Sequence, residues 1–268
     1  MLILPPSRRN GLSFAQVWYP TGPEVIRKVM EDVTVVSVCS SSFDAKAGGL
    51  LDVQAKYEEW WTALIPLALS QEELFKRTDP KSCRYEIRKA EKLRCTVSFN
   101  EKLDEAHDLI QDFIRRKGYR SPMAQAEWDE IQKLRHVHTI HLDGQIIATH
   151  VMLLDPPLRA RLLMSATRDR ADANFKKIIG PLNRRLHWEE ILFYKARGFA
   201  EYDFGGIYPD PNHPFHGISQ FKTSFGGDNV KLHNFVVIKN PAIRIPWQGT
   251  RAVKRMVTCL KSFTPRKT

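Results

Sequence analysis

The alternation of apolar and polar positions sorts the chain into elements. Residues 1–28 carry PP, RRNG and YPTGP with few periodic signals and read as irregular. Val29 to Ser40, containing VTVVSVC, has the β-branched density of a strand, and Ser41 to Gly49 reads as a loop. Leu50 to Trp61 reads as a short helix. Thr62 to Leu69 is a further apolar run, in which Pro66 predicts an edge position or a strand start. Ser70 with Glu73 three residues on is a capping-box signature. It opens a helical region that breaks near Asp79-Pro80 and resumes from Tyr85 to Leu93.

The second part of the chain is more regular. Arg94 to Phe99 reads as a strand, and Lys102 to Lys117 and Ala124 to Leu134 as helices with apolar spacing of three and four. His136 to Leu142 and Gln145 to Leu154 are strands joined by Asp143-Gly144, a strong two-residue hairpin signal. Arg159 to Ala166 follows as a third antiparallel strand, then a long helix from Gly180 to Arg197. Phe199 to Phe204 reads as a buried strand closed by Gly205-Gly206, and Pro209, Pro211 and Pro214 keep the next loop extended. Gly217 to Phe225 reads as a helix ended by Gly226-Gly227, and Lys231 to Ile238 as the last strand. Val253, Met256, Val257 and Leu260 fall at helical spacing and predict a C-terminal helix with a basic face.

Paired glycines at a strand end let a ligand approach the backbone, because no Cβ stands in the way. Lys222 projects a single cation between Phe221 and Phe225. The FAEYDFGGIYPDPNHPFHGISQFKTSFG stretch from Phe199 to Gly226 is the chain's densest group of candidate functional residues. Its YDFGG and GISQFKTSFGG segments resemble the Fem family, the aminoacyl transferases of peptidoglycan bridges, within the GNAT-like acyltransferase superfamily. The RYEIRKAEK run from Arg84 and the GPLNRRLHWEEILFYKARG run from Gly180 resemble it too, so the likeness covers roughly residues 60 to 240.

The resemblance implies an α+β, GNAT-like fold, with a central mixed and mostly antiparallel twisted sheet flanked by helices. The predicted element order, β-α-α-β-β-β-α-β-α-β, agrees with it. Three regions are expected: a partial GNAT-like or accessory region at 1–69, the acyltransferase domain at 70–240 and a basic tail at 241–268. Fem enzymes hold two GNAT-like domains, so the first region reads as a short partner of the second.

Charge and composition narrow the partner. Hydrophobic content of 43% and charged content of 26% are ordinary for a soluble globular protein. No apolar run approaches the roughly 20 residues of a membrane-spanning helix, and MLILPPSRRNG lacks the layout of a signal peptide, so a cytoplasmic protein is expected. Cys39, Cys83, Cys95 and Cys259 are scattered without a CxxC pair, which predicts free thiols rather than disulfides or zinc. The net charge is +11, and after Asp228 only basic residues remain among the charged ones. With the basic block from Lys76 to Arg94, this predicts a polyanionic partner: RNA, nucleotide phosphates or an anionic membrane surface. Arg84 and Arg88, four apart, share a helix face with Lys92, and Lys89 adds a further cation.

A GNAT enzyme using acetyl-CoA has a glycine-rich loop that holds the pyrophosphate on backbone N–H groups. The corresponding stretch here, Thr167 to Asn174, has no glycine, although Arg168 and Arg170 offer cations. Fem enzymes also lack that loop and take their acyl group from aminoacyl-tRNA. The resemblance therefore implies aminoacyl transfer from aminoacyl-tRNA to an amine of a cell-wall or secondary-metabolite precursor, with no resident cofactor. The alternatives are an acyl-CoA or acyl-carrier-protein dependent N-acyltransferase on an amino sugar, and a non-catalytic RNA-binding module. The family's FK lysine lies near the acceptor end, and that role carries over to Lys222 with Phe221 beside it. A cation there would neutralise charge developing on the tetrahedral oxygen. Asp203 is the carboxylate candidate for a base and His216 the imidazole candidate. The expected substrate-binding set is Arg84, Arg88, Lys89, Gly205, Gly206, Tyr208 and His216. His136, His138 and His141 carry no completing ligand and are expected to be solvent-facing strand residues rather than a metal site.

Overall fold

Most of the predicted periods recur in the computed structural model, which describes residues 1–9, 12–45, 49–50, 54–118, 128–129, 135–169, 171, 173 and 175–239. In chain order the elements are β1 (Leu2–Arg9), β2 (Leu12–Trp18), α1 (Pro23–Asp32), β3 (Val35–Ser41), β4 (Gln54–Pro66), α2 (Gln71–Arg77) and α3 (Cys83–Glu91). There follow β5 (Cys95–Phe99), α4 (Leu103–Arg116), β6 (Arg135–Leu142), β7 (Gln145–Asp155), β8 (Arg159–Thr167), α5 (Ile179–Ala196), β9 (Glu201–Ile207), α6 (His216–Thr223) and β10 (Asp228–Ile238). The fold is α+β, a mixed sheet flanked by helices.

The described chain divides into two units, Met1–Thr62 with the strand from Val230 onward, and Ala63–Asn229. In the first, the strand order is β1-β2-β3-β10-β4. Its core is built by Val17, Ile26, Met30, Val36, Val38 and Phe235. Residues 1–28 are thus not irregular. Pro5 and Pro6 fall where the β1–β2 register shifts, in an edge strand, the place where a missing N–H is tolerated. Pro23 opens α1, which runs through Val29 and delays the expected strand to Val35. The helix expected from Leu50 to Trp61 is instead strand β4 from Gln54. Its Tyr57 hydroxyl meets His233 Nδ1 at 2.6 Å, and Glu59 pairs with Lys231 at 2.6 Å. Pro66 is the last residue of that strand.

In the second unit the order is β4-β9-β8-β7-β6-β5, antiparallel from β5 to β8 and parallel between β8 and β9. The Ser70–Glu73 capping box forms at the start of α2. Asp143 and Gly144 adopt φ of 51° and 76°, the left-handed pair that a tight hairpin demands. Helices α3 and α5 cover one face, where Ala90, Ile140, Ala148, Ile179, Leu182 and Leu186 are buried together. Each large aliphatic side chain buried there contributes about 1.5–3 kcal/mol. The expected helix from Ala124 to Leu134 lies outside the described residues except for Trp128 and Asp129; Trp128 is buried and stacks on His107 at 4.8 Å. The predicted C-terminal helix, residues 246–268, also lies outside them, as do the rest of the basic tail, Cys259 and Arg170. Among the described residues no helix is long and apolar enough to cross a membrane.

Candidate functional site

The site forms where the parallel pairing of β8 and β9 ends. Register runs from Arg159↔Glu201 to Arg161↔Asp203. Gly205 then takes φ of 70°, and a Cβ there would lie 3.0 Å from the Leu162 carbonyl oxygen, so both the backbone sign and the space call for glycine. The Gly205 N–H donates to Asp203 Oδ1 at 2.7 Å, closing a tight turn. The next carbonyl, that of Gly206, accepts from Lys222 Nζ at 2.6 Å. Helix α6 therefore returns its half-buried lysine to the backbone of the paired glycines.

Around Lys222 the charges alternate. Asp203 is fully buried and accepts from Arg161 NH1 at 2.7 Å, with Arg159 at 4.0 Å. Arg159 is held in turn by Glu201. The two arginines stand two apart on β8 and so share a face. Burial pulls the Lys222 ammonium down from its ordinary 10.5 to about 8; Arg161 adds to the fall and Asp203 opposes it. Asp203 sits in an ion pair and a turn, so here it balances and orients charge around the lysine.

A band of arginines and aromatics leads from this point to α3. Arg184 lies over the Phe221 ring at 4.5 Å and pairs with Glu86 of α3. Phe75 packs on Trp188 at 5.1 Å, with Arg84 and Arg88 over its ring at 5.6 and 5.4 Å. Arg84 donates to the carbonyls of Lys76 and Thr78 at 2.7 and 2.9 Å, so its fork closes the C-terminus of α2. Arg88, Lys89 and Lys92 are exposed, as are Lys81 and Tyr85. Tyr208 stacks on His213 at 3.8 Å and its N–H donates to Ser219 Oγ at 2.7 Å. His216 starts α6, with its backbone bonded to the His213 carbonyl at 2.8 Å. Thus Lys222, Phe221, Asp203, Gly205 and Gly206 come together, Tyr208 follows on the same strand-to-helix loop, and Arg88 and Lys89 lie on the exposed face of α3.

Behind Phe221 the core is polar. Glu190 of α5, fully buried, accepts from His138 Nδ1 at 3.0 Å and His150 Nδ1 at 2.9 Å on one oxygen. Its other oxygen accepts from the Tyr202 hydroxyl at 2.6 Å, and His187 Nδ1 meets that hydroxyl at 2.8 Å. Burial would push the Glu190 carboxyl up, but the charge of His150 and hydrogen bonds from His138, His150 and His187 hold it well below the usual range. Burial drops His187 to about 3, so it is neutral. The strand histidines are therefore not solvent-facing: His138 and His141 are buried, the former on Glu190 and the latter on Glu105 at 3.1 Å, and His136 is half-buried. A polar partner on α5 and another on α4 explain why imidazoles enter an apolar sheet.

Ligand atoms of His150, His187 and Glu190 lie within 4.8 Å of one another. His150 uses both nitrogens, towards Glu190 and towards Asn183 at 3.0 Å, and His187 Nδ1 is taken by Tyr202. Both nitrogens of His150 and the Nδ1 of His187 are thus engaged, and the group is joined by hydrogen bonds into a network. Sequence reasoning singles out Asn183 and Arg184, near the start of the long helix, as able to reach a ligand, and misses Arg161 and Glu190. The alternation RAR at 159–161 was the readable signal for Arg161; Glu190, a glutamate inside a long helix, gave none.

Residues 77–223 match the family model described as an acetyltransferase (GNAT) domain. No curated protein has a significant sequence match to the chain. Among solved structures, FemX is similar at 12% identity with a TM-score of 0.66, covering 91% of this chain and 85% of that one. The C-terminal domain of a putative lysylphosphatidylglycerol synthetase from Agrobacterium fabrum is similar at 13% identity and a TM-score of 0.60, over 94% of this chain and 84% of that one. L-PGS from Bacillus licheniformis is similar at 12% identity and a TM-score of 0.56, over 93% and 85%.

Proposed function

The chain belongs to the GNAT acetyltransferase domain family, and from that premise we propose that it is a Fem-type enzyme moving an aminoacyl group from aminoacyl-tRNA to an amine. The acceptor is the amine of a cell-wall or secondary-metabolite precursor. The observation that carries the reading is the Lys222 site together with the cationic face that leads to it. Lys222, held on the Gly206 carbonyl at 2.6 Å, is a fixed cation at the end of a strand that turns at Gly205. In aminoacyl transfer the amine attacks the ester carbonyl, the C–O bond breaks, and the ribose hydroxyl leaves with the proton the amine gives up. A cation beside the carbonyl oxygen stabilises the charge that develops there; loss of one such donor typically costs about a hundredfold to a thousandfold in rate. Asp203 favours that charge electrostatically, against burial and Arg161.

The exposed face of α3 supports a polyanionic donor. Lys81, Tyr85, Arg88, Lys89 and Lys92 recur at helical spacing, all exposed, and Glu86 of the same helix links through Arg184 to Phe221. Cations interleaved with an aromatic suit phosphate and base contacts. The glycine-free Thr167–Asn174 stretch argues against a backbone cradle for a CoA pyrophosphate.

The test is to isolate the protein at low salt, extract it, and identify the small RNA or thioester that accompanies it. Recovery of tRNA, lost at high salt as phosphate contacts are screened, is the expected result, and the tRNA species names the amino acid. Recovery of a CoA species and no RNA would replace this reading with an N-acyltransferase on an amino sugar. Bound tRNA without transfer to any amine, in wild type and Lys222→Ala alike, would reduce the chain to an RNA-binding module.

A further inference from the structure

Between Arg197 and Lys222 the chain carries no lysine or arginine, yet the loop that leads into α6 is dense in rings. Tyr208 and His213 lie face to face, with centroids 3.8 Å apart and planes 6° from parallel. Phe215 tilts against both, at 5.7 Å and 45° to Tyr208 and at 5.5 Å and 51° to His213. All three residues are half-buried, so each leaves part of its surface to solvent. A flat stack that stays partly exposed gains less from burial than a core pair does, and what it presents outward is aromatic surface.

The loop holds its shape through its own bonds. Pro209, Pro211 and Pro214 each fix a φ angle. The Asp210 carboxylate accepts from the Asn212 N–H at 2.9 Å, and the Asp210 carbonyl accepts from the His213 N–H at 3.1 Å. His213 Nδ1 accepts from the Phe215 N–H at 3.2 Å, which puts the ring proton on Nε2. Two anchors on α6 then fix where the stack stands. The Tyr208 N–H donates to Ser219 Oγ at 2.7 Å, and Lys222 Nζ donates to the Gly206 carbonyl at 2.6 Å. Ser219 and Lys222 are three apart and share a helix face, about 4.5 Å from each other along the axis. The two residues of chain from Gly206 to Tyr208 span at most about 7 Å. The stack is thus tied to the backbone beside the ammonium.

We propose that Tyr208 and His213 form the stacking platform for the terminal nucleobase of the acyl donor, which lays the ester of the same nucleotide beside Lys222. The proposal rests on the acyl-transfer reading and adds which part of the donor this loop holds. In an aminoacyl ester of RNA the base and the ester hang from one ribose ring, so a base on the platform brings the carbonyl to the ammonium. In an acyl-CoA the adenine is separated from the thioester by a pyrophosphate and the whole pantetheine arm, and a platform this close to Lys222 does not suit it. The loop's lack of basic residues agrees, because ring surface recognises an uncharged planar group. Phosphates are left to the exposed cations of α3, Arg88, Lys89 and Lys92. Stacking asks only for a π-face, so the terminal base is held without being read. Tyr208 and His213 bind and position the donor; the charge that develops in the reaction is met by Lys222.

The test uses the full chain and an unacylated RNA hairpin with a single-stranded 3′ end whose last base is 2-aminopurine, a fluorescent base that is quenched on stacking. Binding is expected to quench this terminal base, while the same reporter two nucleotides inward changes little; that comparison needs no variant. Tyr208→Ala and His213→Ala, each checked for an unchanged fold by thermal unfolding, are expected to weaken binding about fivefold to a hundredfold and to remove the quench. Tyr208→Trp keeps a ring face and is expected to retain both. A hairpin lacking the last base should bind the wild type and Tyr208→Ala equally, and CoA in excess should leave the quench unchanged. A terminal base that stays bright in the bound complex, or an alanine variant that weakens the baseless hairpin as much as the intact one, would overturn the platform and leave the transfer reading standing. Displacement of the hairpin by CoA would overturn the assignment to an RNA end. A wild type that binds no RNA at low salt would sink the acyl-transfer reading, and the proposal with it.

Discussion

Replacing Lys222 by methionine is expected to remove transfer and, near neutral pH, to stabilise the protein. Burial, helped by Arg161, lowers the lysine from its ordinary 10.5 to about 8. At about 1.36 kcal/mol per pH unit, keeping it charged in the folded state costs about 3 kcal/mol. Against this, the ammonium donates to the Gly206 carbonyl at 2.6 Å, which is worth about 1.5–3 kcal/mol for a charged donor. Methionine keeps most of the stem's packing, so the variant should gain about 1 kcal/mol at pH 7.

The pH dependence carries the stronger test. Between pH 8 and 10.5 the unfolded chain holds the lysine proton more tightly than the folded one, so wild-type stability rises with pH across that window. The cost is present in full below about pH 8 and vanishes above 10.5. The variant's advantage should therefore shrink by about 2 kcal/mol between pH 7 and pH 10, and turn into a deficit. Urea unfolding of both proteins at the two pH values, with other titrating groups cancelling in the difference, measures it. A stability difference that is the same at both pH values would refute the buried cation, as would a loss of more than about 2 kcal/mol at pH 7.

Two further changes probe the same turn. Asp203→Asn keeps the acceptor for the Gly205 N–H but leaves the buried Arg161 without its carboxylate; a loss of about 3–5 kcal/mol in urea unfolding is expected, and a loss under 1 kcal/mol would mean that solvent reaches the arginine. Gly226→Ala places a Cβ 2.4 Å from the Arg77 carbonyl oxygen at a φ of 79°, so the α6 exit must move; destabilisation of at least about 2 kcal/mol is expected, and a neutral outcome would show that the α2 end yields freely.

Much of the second unit was legible because its signals are local. The Ser70–Glu73 box, the Asp143-Gly144 hairpin and the three-and-four spacing of α4 and α5 each depend on neighbours within one turn of chain, and all formed. The glycine pair and the FK helix were readable for the same reason. The first unit was harder. YEEWWTAL suits a helix or a strand by pattern alone, and cross-strand partners at His233 and Lys231, more than 170 residues away, made it a strand.

What the sequence determined by itself was the fold class, much of the order of elements in the second unit and the residues that a glycine-rich strand end and a lone lysine bring forward. Only the tertiary structure decided their electrical state. The Lys222 ammonium is pulled down because burial and Arg161 disfavour its charge, while Asp203, 42 residues from Arg161 and paired with it, opposes the fall. Arg84 became a helix cap because the carbonyls of Lys76 and Thr78 face it. His138 and His150 entered the core because Glu190, on a helix packed across the sheet, supplied the acceptor. Charge and solvation depend on distance through space and on exclusion of water, and neither is written in the spacing of residues along the chain.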